Sequence, residues 1–287
     1  MAVAILFFLP FGILFLVFTI LPVLIALFYS LTTYSVIQDP IFVGIQNFKY
    51  LLTEDNTFII AFTNTLTFAF FTGIIGYFAS FFVAYIIDGL RLKKFFALAF
   101  YAPSITSGIA MSVIWLYFFS PDINGLINSV LMQNGLIHQP ILWTQDPDKI
   151  LFVVVVVSVW MGMGNGFLGF LAGFQNLNRE TFEAGKIDGV KNKFQEMIYI
   201  IFPQMKPMLL FGAINTIVGA FSIYDVPVSL AGSPGPDNAT LTIVGHINDY
   251  AFVRMDLGYA TAVTMVLFVI TFTLGRIMFK VLDSSDE

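Results

Sequence analysis

Apolar residues dominate six stretches of this chain, at about 4–31, 58–87, 95–119, 150–174, 208–230 and 259–282. Each is long enough to cross a hydrocarbon core of about 30 Å, which takes roughly 20 helical residues. Short polar or charged segments separate them. The pattern predicts an all-α membrane protein of six transmembrane helices, a single polytopic domain over 1–287.

One break in the apolar pattern differs from the others. Residues 175–207 form a polar insert, QNLNRETFEAGKIDGVKNKFQEMIYIIFPQMKP, which carries Arg179, Lys186, Lys191, Lys193 and Lys206. Basic residues are retained on the cytoplasmic side of membrane helices. Arg91, Lys93 and Lys94 between the second and third spans, these five, and Arg276 and Lys280 all fall on one side. Lys49, Lys149 and Arg254 fall on the other. The bias puts both termini and the polar insert in the cytoplasm, and the first span reads as a membrane helix rather than a cleaved signal peptide.

The insert has its own punctuation. Asn178 is placed to cap a helix, and Glu180 and Glu183 then lie near its positive end, where the helix dipole favours acids. Asp188-Gly189 supplies a turn, since glycine tolerates the left-handed conformation that ends helices. Asn192 followed by Gln195 resembles a capping box opening a second helix. Phe194, Met197, Ile198 and Ile201 then form an apolar stripe, and Pro203 and Pro207 are expected to stop it. The expectation is a cytoplasmic helix–turn–helix between the fourth and fifth spans. It is either a docking surface for a partner or an amphipathic cap on the bundle.

Composition narrows the chemistry. Hydrophobic residues make up 58% and charged residues 11% of the 287 residues, against about 25% charged in soluble domains. There is no cysteine, which removes disulfides, thiolate catalysis and cysteine metal sites. His138 and His246 stand apart and read as solvated polar residues. No G-x-x-x-x-G-K-[ST] phosphate loop is present, since Gly185-Lys186 runs into Ile187. No cofactor or metal is expected on this chain, no catalytic residue is assigned, and any ATP would be used elsewhere. Nothing suggests nucleic acid as a partner.

Polar residues within the spans are few. Trp160, Asn165, Asn215, Ser222, Tyr224 and Asp225 are the candidates for a substrate path, since amides and hydroxyls beside aromatic faces suit a neutral, hydroxyl-rich ligand. The competing explanation is hydrogen bonding between packed helices, with Asp225 an interfacial acid. Gly162, Gly166, Gly169 and Gly173 read as close helix packing.

The insert resembles a known family. Glu183-Ala184-Gly185, then Asp188-Gly189, Phe194, Pro203 and Pro207, are similar to the EAA loop of permease subunits of bacterial ABC importers. Gly185 and Val190 stand where that loop carries alanine. Further resemblance to the carbohydrate, or maltose-type, permeases extends from Phe42-Val-Gly-Ile-Gln-Asn-Phe48 and Asn64-Thr65 to Ser222-Ile-Tyr-Asp225, Gly232-Ser-Pro-Gly-Pro236, Thr240 and Gly258-Tyr-Ala-Thr-Ala262.

The resemblance implies an inner-membrane transport subunit rather than an enzyme. Its implied partners are a second, homologous permease, two nucleotide-binding ATPase subunits that use ATP and Mg, and an extracytoplasmic solute-binding protein. Glu183, Ala184, Gly185, Asp188 and Gly189 would form the coupling helix that seats on the ATPase. The implied substrate is a sugar or oligosaccharide. A polyol or glycerol phosphate compound is the alternative. An ion-coupled secondary transporter, the rival from another class, would be expected to show intramembrane acids or inverted repeats, and neither is evident.

Overall fold

A computed structural model describes residues 2–283, less the side chains of residues 2–6, 109, 164, 165, 282 and 283. In chain order, α1 (Ala2–Phe15) passes through a π turn at Leu16–Ile20 into α2 (Leu21–Ser30). A short antiparallel pair follows, β1 (Thr32–Ser35) with β2 (Gln38–Phe42), then α3 (Gln46–Thr53) and α4 (Asn56–Asp88). Next come α5 (Lys93–Ile105), α6 (Gly108–Phe118), α7 (Leu126–Gln133) and α8 (Pro147–Gln175). The polar insert holds α9 (Arg179–Ile187) and α10 (Lys193–Glu196), followed by a π turn at Met197–Ile201 and α11 (Phe202–Phe221). The chain closes with α12 (Asp225–Ala231), α13 (Ile243–Asn248) and α14 (Leu257–Asp283).

Among the described residues, five helical runs are long and apolar enough to cross a membrane. They are Phe7–Ser30, Asn56–Asp88, Pro147–Gln175, Lys193–Phe221 and Leu257–Val281. A sixth exists if Lys93–Ile105 and Ala110–Phe118, which meet at 99°, are taken as one broken span. Pro103 lies in the last turn of α5, and the backbone turns extended at Thr106 (φ −84°, ψ 143°). The apolar pattern does not show this bend, because composition runs through it unchanged.

The fifth span also departs from expectation. Pro203 and Pro207 do not stop the helix, which runs from Lys193 to Phe221. The π turn lies immediately before Pro203, with the Phe202 N–H bonded to the carbonyl of Met197. A widened turn absorbs the local loss of hydrogen bonding that proline imposes. It also rotates the apolar stripe: Ile200 and Ile201 are buried, whereas Phe194 is 71% exposed. At the other end the helix stops at Phe221, so Asp225 opens a separate helix.

The chain divides into two compact units. The first comprises Met1–Phe62 and Ile243–Ile270. Its core gathers Leu51, Phe58, Ile243, Tyr259 and Val263. Gly258 is there because of close approach, since a Cβ on it would lie 2.2 Å from the Thr32 carbonyl oxygen. Here too sits His246, which is 1% exposed rather than solvated. Its Nε2 lies 3.0 Å from Asp55 Oδ2, and the Tyr259 hydroxyl donates to the same oxygen at 2.6 Å. Burying an acid stabilises only if its lone pairs are met, and Asp55 Oδ1 accepts the Phe58 N–H as well.

The second unit comprises Thr63–Thr242 and Thr271–Glu287. One cluster packs Phe68, Phe119, Val153, Val157 and Leu230. Another packs Phe81, Phe167, Phe170, Ile201 and Met205. Two glycines of α8 sit where a side chain would intrude: a Cβ on Gly166 would approach Ser80 Oγ to 3.3 Å, and one on Gly173 would approach Met205 Cε to 2.8 Å. Gly162 has open space instead. Asn64 of α4 donates to the carbonyls of Asn238 and Leu241, fixing the loop before α13.

Candidate functional site

The polar insert folds as a hairpin in which the two asparagine caps and the glycine turn act as read. Asn178 Oδ1 accepts the Glu180 N–H at 2.9 Å, and Glu180 and Lys186 sit at the ends of α9 that the helix dipole favours for each charge. Gly189 takes φ +96°, the left-handed turn expected of it. Asn192 Oδ1 accepts the Gln195 N–H, while Gln195 Oε1 reaches back to the Lys191 N–H.

The hairpin is held against the second unit by three contacts. Phe182 and Leu177 pack on the cluster containing Phe174, Ile201 and Met205. The Asn178 N–H donates to Gln204 Oε1 of α11 at 3.0 Å. Gly185 faces Ile200 so closely that a Cβ would come within 2.6 Å of its Cδ1. An alanine there would push the Ile200 side chain aside. The outer face of α9 is left free: Glu183, Ala184 and Asp188 are exposed, and Ile187 is 87% exposed. Ala184, Gly185, Asp188 and Gly189 share a cleft of about 400 Å³ with Tyr199, and Glu183 lies beside it on α9.

A second concavity, of about 480 Å³, is walled by α4, α8, α11, the α5–α6 bend and the start of α12. Two of the six substrate-path candidates, Asn215 and Asp225, line it. Three do not. Trp160 packs edge-on against Trp115 at 5.3 Å, Ser222 is exposed, and Tyr224 is half-buried where α11 gives way to α12. The side chain of Asn165 lies outside the described residues.

The polar lining residues that sequence reading missed all carry hydroxyls. Thr72, Gly76 and Ser80 repeat every four residues along α4 and all face the cavity, with Ser104 and Thr106 beside the bend and Ser158 on α8. The four-residue spacing is a detectable signal, but it matches that of ordinary small-residue packing. Among the described residues no group of three or more His, Asp or Glu side chains could hold a metal.

Long apolar helices, a concavity with hydroxyls and an acid in its wall, and a charged hairpin between two of the helices mark a membrane protein, and comparison with known proteins narrows this. No protein-family model matches the chain. It is 32% identical over 276 residues to the probable ABC transporter permease protein YesP of Bacillus subtilis (strain 168), covering 94% of this chain and 87% of that protein. It is 29% identical to the arabinooligosaccharides transport system permease protein AraP of the same organism, covering 96% and 87%. Lactose and sn-glycerol-3-phosphate transport system permeases are also among its relatives. In fold it is similar to a solved bacterial ABC transporter involved in the import of the acidic polysaccharide alginate, with a TM-score of 0.81, 19% identity and coverage of 98% of this chain and 95% of that one. The chain belongs to the ABC transporter permeases; relatives with a named cargo serve arabinooligosaccharide, lactose and sn-glycerol-3-phosphate transport systems.

Proposed function

We propose that the chain is the membrane-spanning subunit of an ATP-driven importer, forming part of the path for a sugar or oligosaccharide handed over by an extracytoplasmic binding protein. It pairs with a second, homologous permease and rests on two ATPase subunits, which use ATP and Mg outside this chain. Both termini and the α9 hairpin face the cytoplasm, a reading that the distribution of lysine and arginine supports. The names of the relatives support the substrate class. The binding protein is supported by a solved bacterial alginate ABC transporter of similar fold, in complex with alginate pentasaccharide-bound periplasmic protein.

The observation that carries the reading is the α9 hairpin. A motor can bias a membrane bundle only through a contact that differs between two states. α9 is fastened by Gly185, Phe182 and Asn178 and leaves Glu183, Ala184 and, just past its end, Asp188 exposed. Movement of anything seated on these exposed residues is passed to α11 through Gln204 and Ile200. Glu183→Lys reverses a charge among them without touching the fastening residues. ATP-dependent uptake in vesicles carrying the full importer should fall by about tenfold or more, with membrane insertion intact. Undiminished uptake by the assembled variant would remove the lever.

A second reading, a glycerol phosphate compound as cargo, has support from the sn-glycerol-3-phosphate permeases among the relatives.

A further inference from the structure

The chemistry of the cavity wall decides between these cargoes. The inference rests on the permease reading and goes on to ask which solutes the path accepts.

A serine or threonine hydroxyl has one hydrogen and two lone pairs. In this wall the hydrogens are already spent on backbone. Thr72 donates to the Phe68 carbonyl at 2.8 Å and Ser80 to that of Gly76 at 2.7 Å. At the end of α5, Ser104 and Thr106 donate back to the carbonyls of Tyr101 and Ala102. On α11, Thr216 donates to Gly212, and Asn215 gives one amide hydrogen to Phe211. What the hydroxyls present onward is oxygen lone pairs, while Asn215 keeps one amide hydrogen beside its carbonyl oxygen. The wall is rich in acceptors and poor in donors.

Charge points the same way. Asp225 is the one charged residue among the described lining residues, and no lysine, arginine or histidine stands among them. Ser158 Oγ makes no hydrogen bond within the protein, but it is buried in the wall and presents no donor at the cavity surface.

A neutral saccharide brings many O–H donors and finds acceptors here. A phosphate or uronate brings charged oxygens that carry no hydrogen. Such groups need N–H donors or cations, and instead they meet lone pairs and a carboxylate in a partly desolvated space, where like charges repel more strongly than in water. The volume of about 480 Å³ lies in the range of ligand pockets and suits a few sugar units at a time. We propose that this cavity is a filter that admits neutral, hydroxyl-rich saccharides and turns away anionic ones. Asp225 is its charged element, and Thr72, Ser80 and Thr216 are its acceptors. The wall therefore favours neutral sugars over glycerol phosphate.

The test uses the complete complex of both permeases and the ATPase subunits in nanodiscs, without the binding protein. Equilibrium dialysis measures radiolabelled arabinotriose, sn-glycerol 3-phosphate and trigalacturonate. Arabinotriose is expected to bind at least about tenfold more tightly than either anion. Asp225→Asn should narrow that ratio and Asp225→Lys should narrow it further or reverse it. Thr72→Val, which keeps shape and removes an acceptor, should weaken arabinotriose alone. Anions bound as tightly as arabinotriose, no saccharide bound at all, or a ratio unmoved by Asp225→Lys in an assembled complex would each overturn the filter. None of these would touch the permease reading, which fails separately if the chain recovers no ATPase subunit.

Discussion

At the scale of single residues, the Asp55–His246–Tyr259 cluster makes the sharpest demand on conditions. Burial pushes the His246 imidazole below its ordinary value of 6.5, against the attraction of Asp55, with Arg254 adding to the depression and Asp249 opposing it. Burial alone would raise the Asp55 carboxyl, but hydrogen bonds from Tyr259, the Phe58 N–H and His246 outweigh it and hold the group below its usual range. The folded state therefore holds a neutral imidazole against a carboxylate. Because the folded His246 value lies below the unfolded one, its contribution is complete above about pH 6.5 and is lost as pH falls toward the folded value. Asp55 adds a second loss below about pH 4. Melting temperature in detergent should fall between pH 7 and 5, and His246→Gln should flatten that segment. Parallel curves for the two proteins would refute the assignment. Asp55→Ala leaves both partners buried and unmet, at a cost of about 3 kcal/mol.

Nothing in the sequence reading joined His246 to Asp55. They are 191 positions apart, and neither histidine has a ligand-spaced neighbour. Long-range pairs of this kind are visible only once the helices are placed. Local devices behaved oppositely: the Asn178 and Asn192 caps and the Gly189 turn depend on neighbours within four positions, and all three formed as read.

At the scale of elements, the π turn before Pro203 is what the residue pattern concealed. Proline at 203 and 207 argues for a helix stop, yet the widened turn lets the helix continue and re-aims the residues ahead of it. Ile200 thereby faces Gly185, and Phe194 faces outward. The consequence is measurable. Gly185→Val, whose branched side chain is too wide for the space before Ile200, should loosen α9, at a cost of about 1–3 kcal/mol for overpacking, seen as faster amide hydrogen exchange over 179–201. Adding Ile200→Ala, which clears that space, should restore protection. If Gly185→Val exchanges as slowly as the parent, α9 is not seated on Ile200. The broken third span escaped notice for a related reason: hydropathy records how apolar a stretch is, and Pro103 and Thr106 bend the chain without altering that.

At the scale of the whole molecule, membrane class and family were open to reading because both rest on features spread along the chain, namely long apolar runs and the Glu183 to Pro207 spacing. The cavity was only half legible. Asn215 and Asp225 stood out as polar residues in apolar surroundings, whereas Thr72, Ser80, Ser104 and Thr106 resembled residues that satisfy their own helices. They do satisfy them, and that is what turns their lone pairs outward.

The central claim is that α9 receives work from a separate ATPase. The chain has no cysteine, so Glu183→Cys introduces a single reactive site, and the assembled importer can be treated with a short thiol–amine cross-linker with and without ATP. The account predicts a cross-link from position 183 to the ATPase subunit whose yield changes with nucleotide. Cross-linking from that position only to lipid, to the partner permease or to nothing, in a complex that still contains its ATPase, would contradict it.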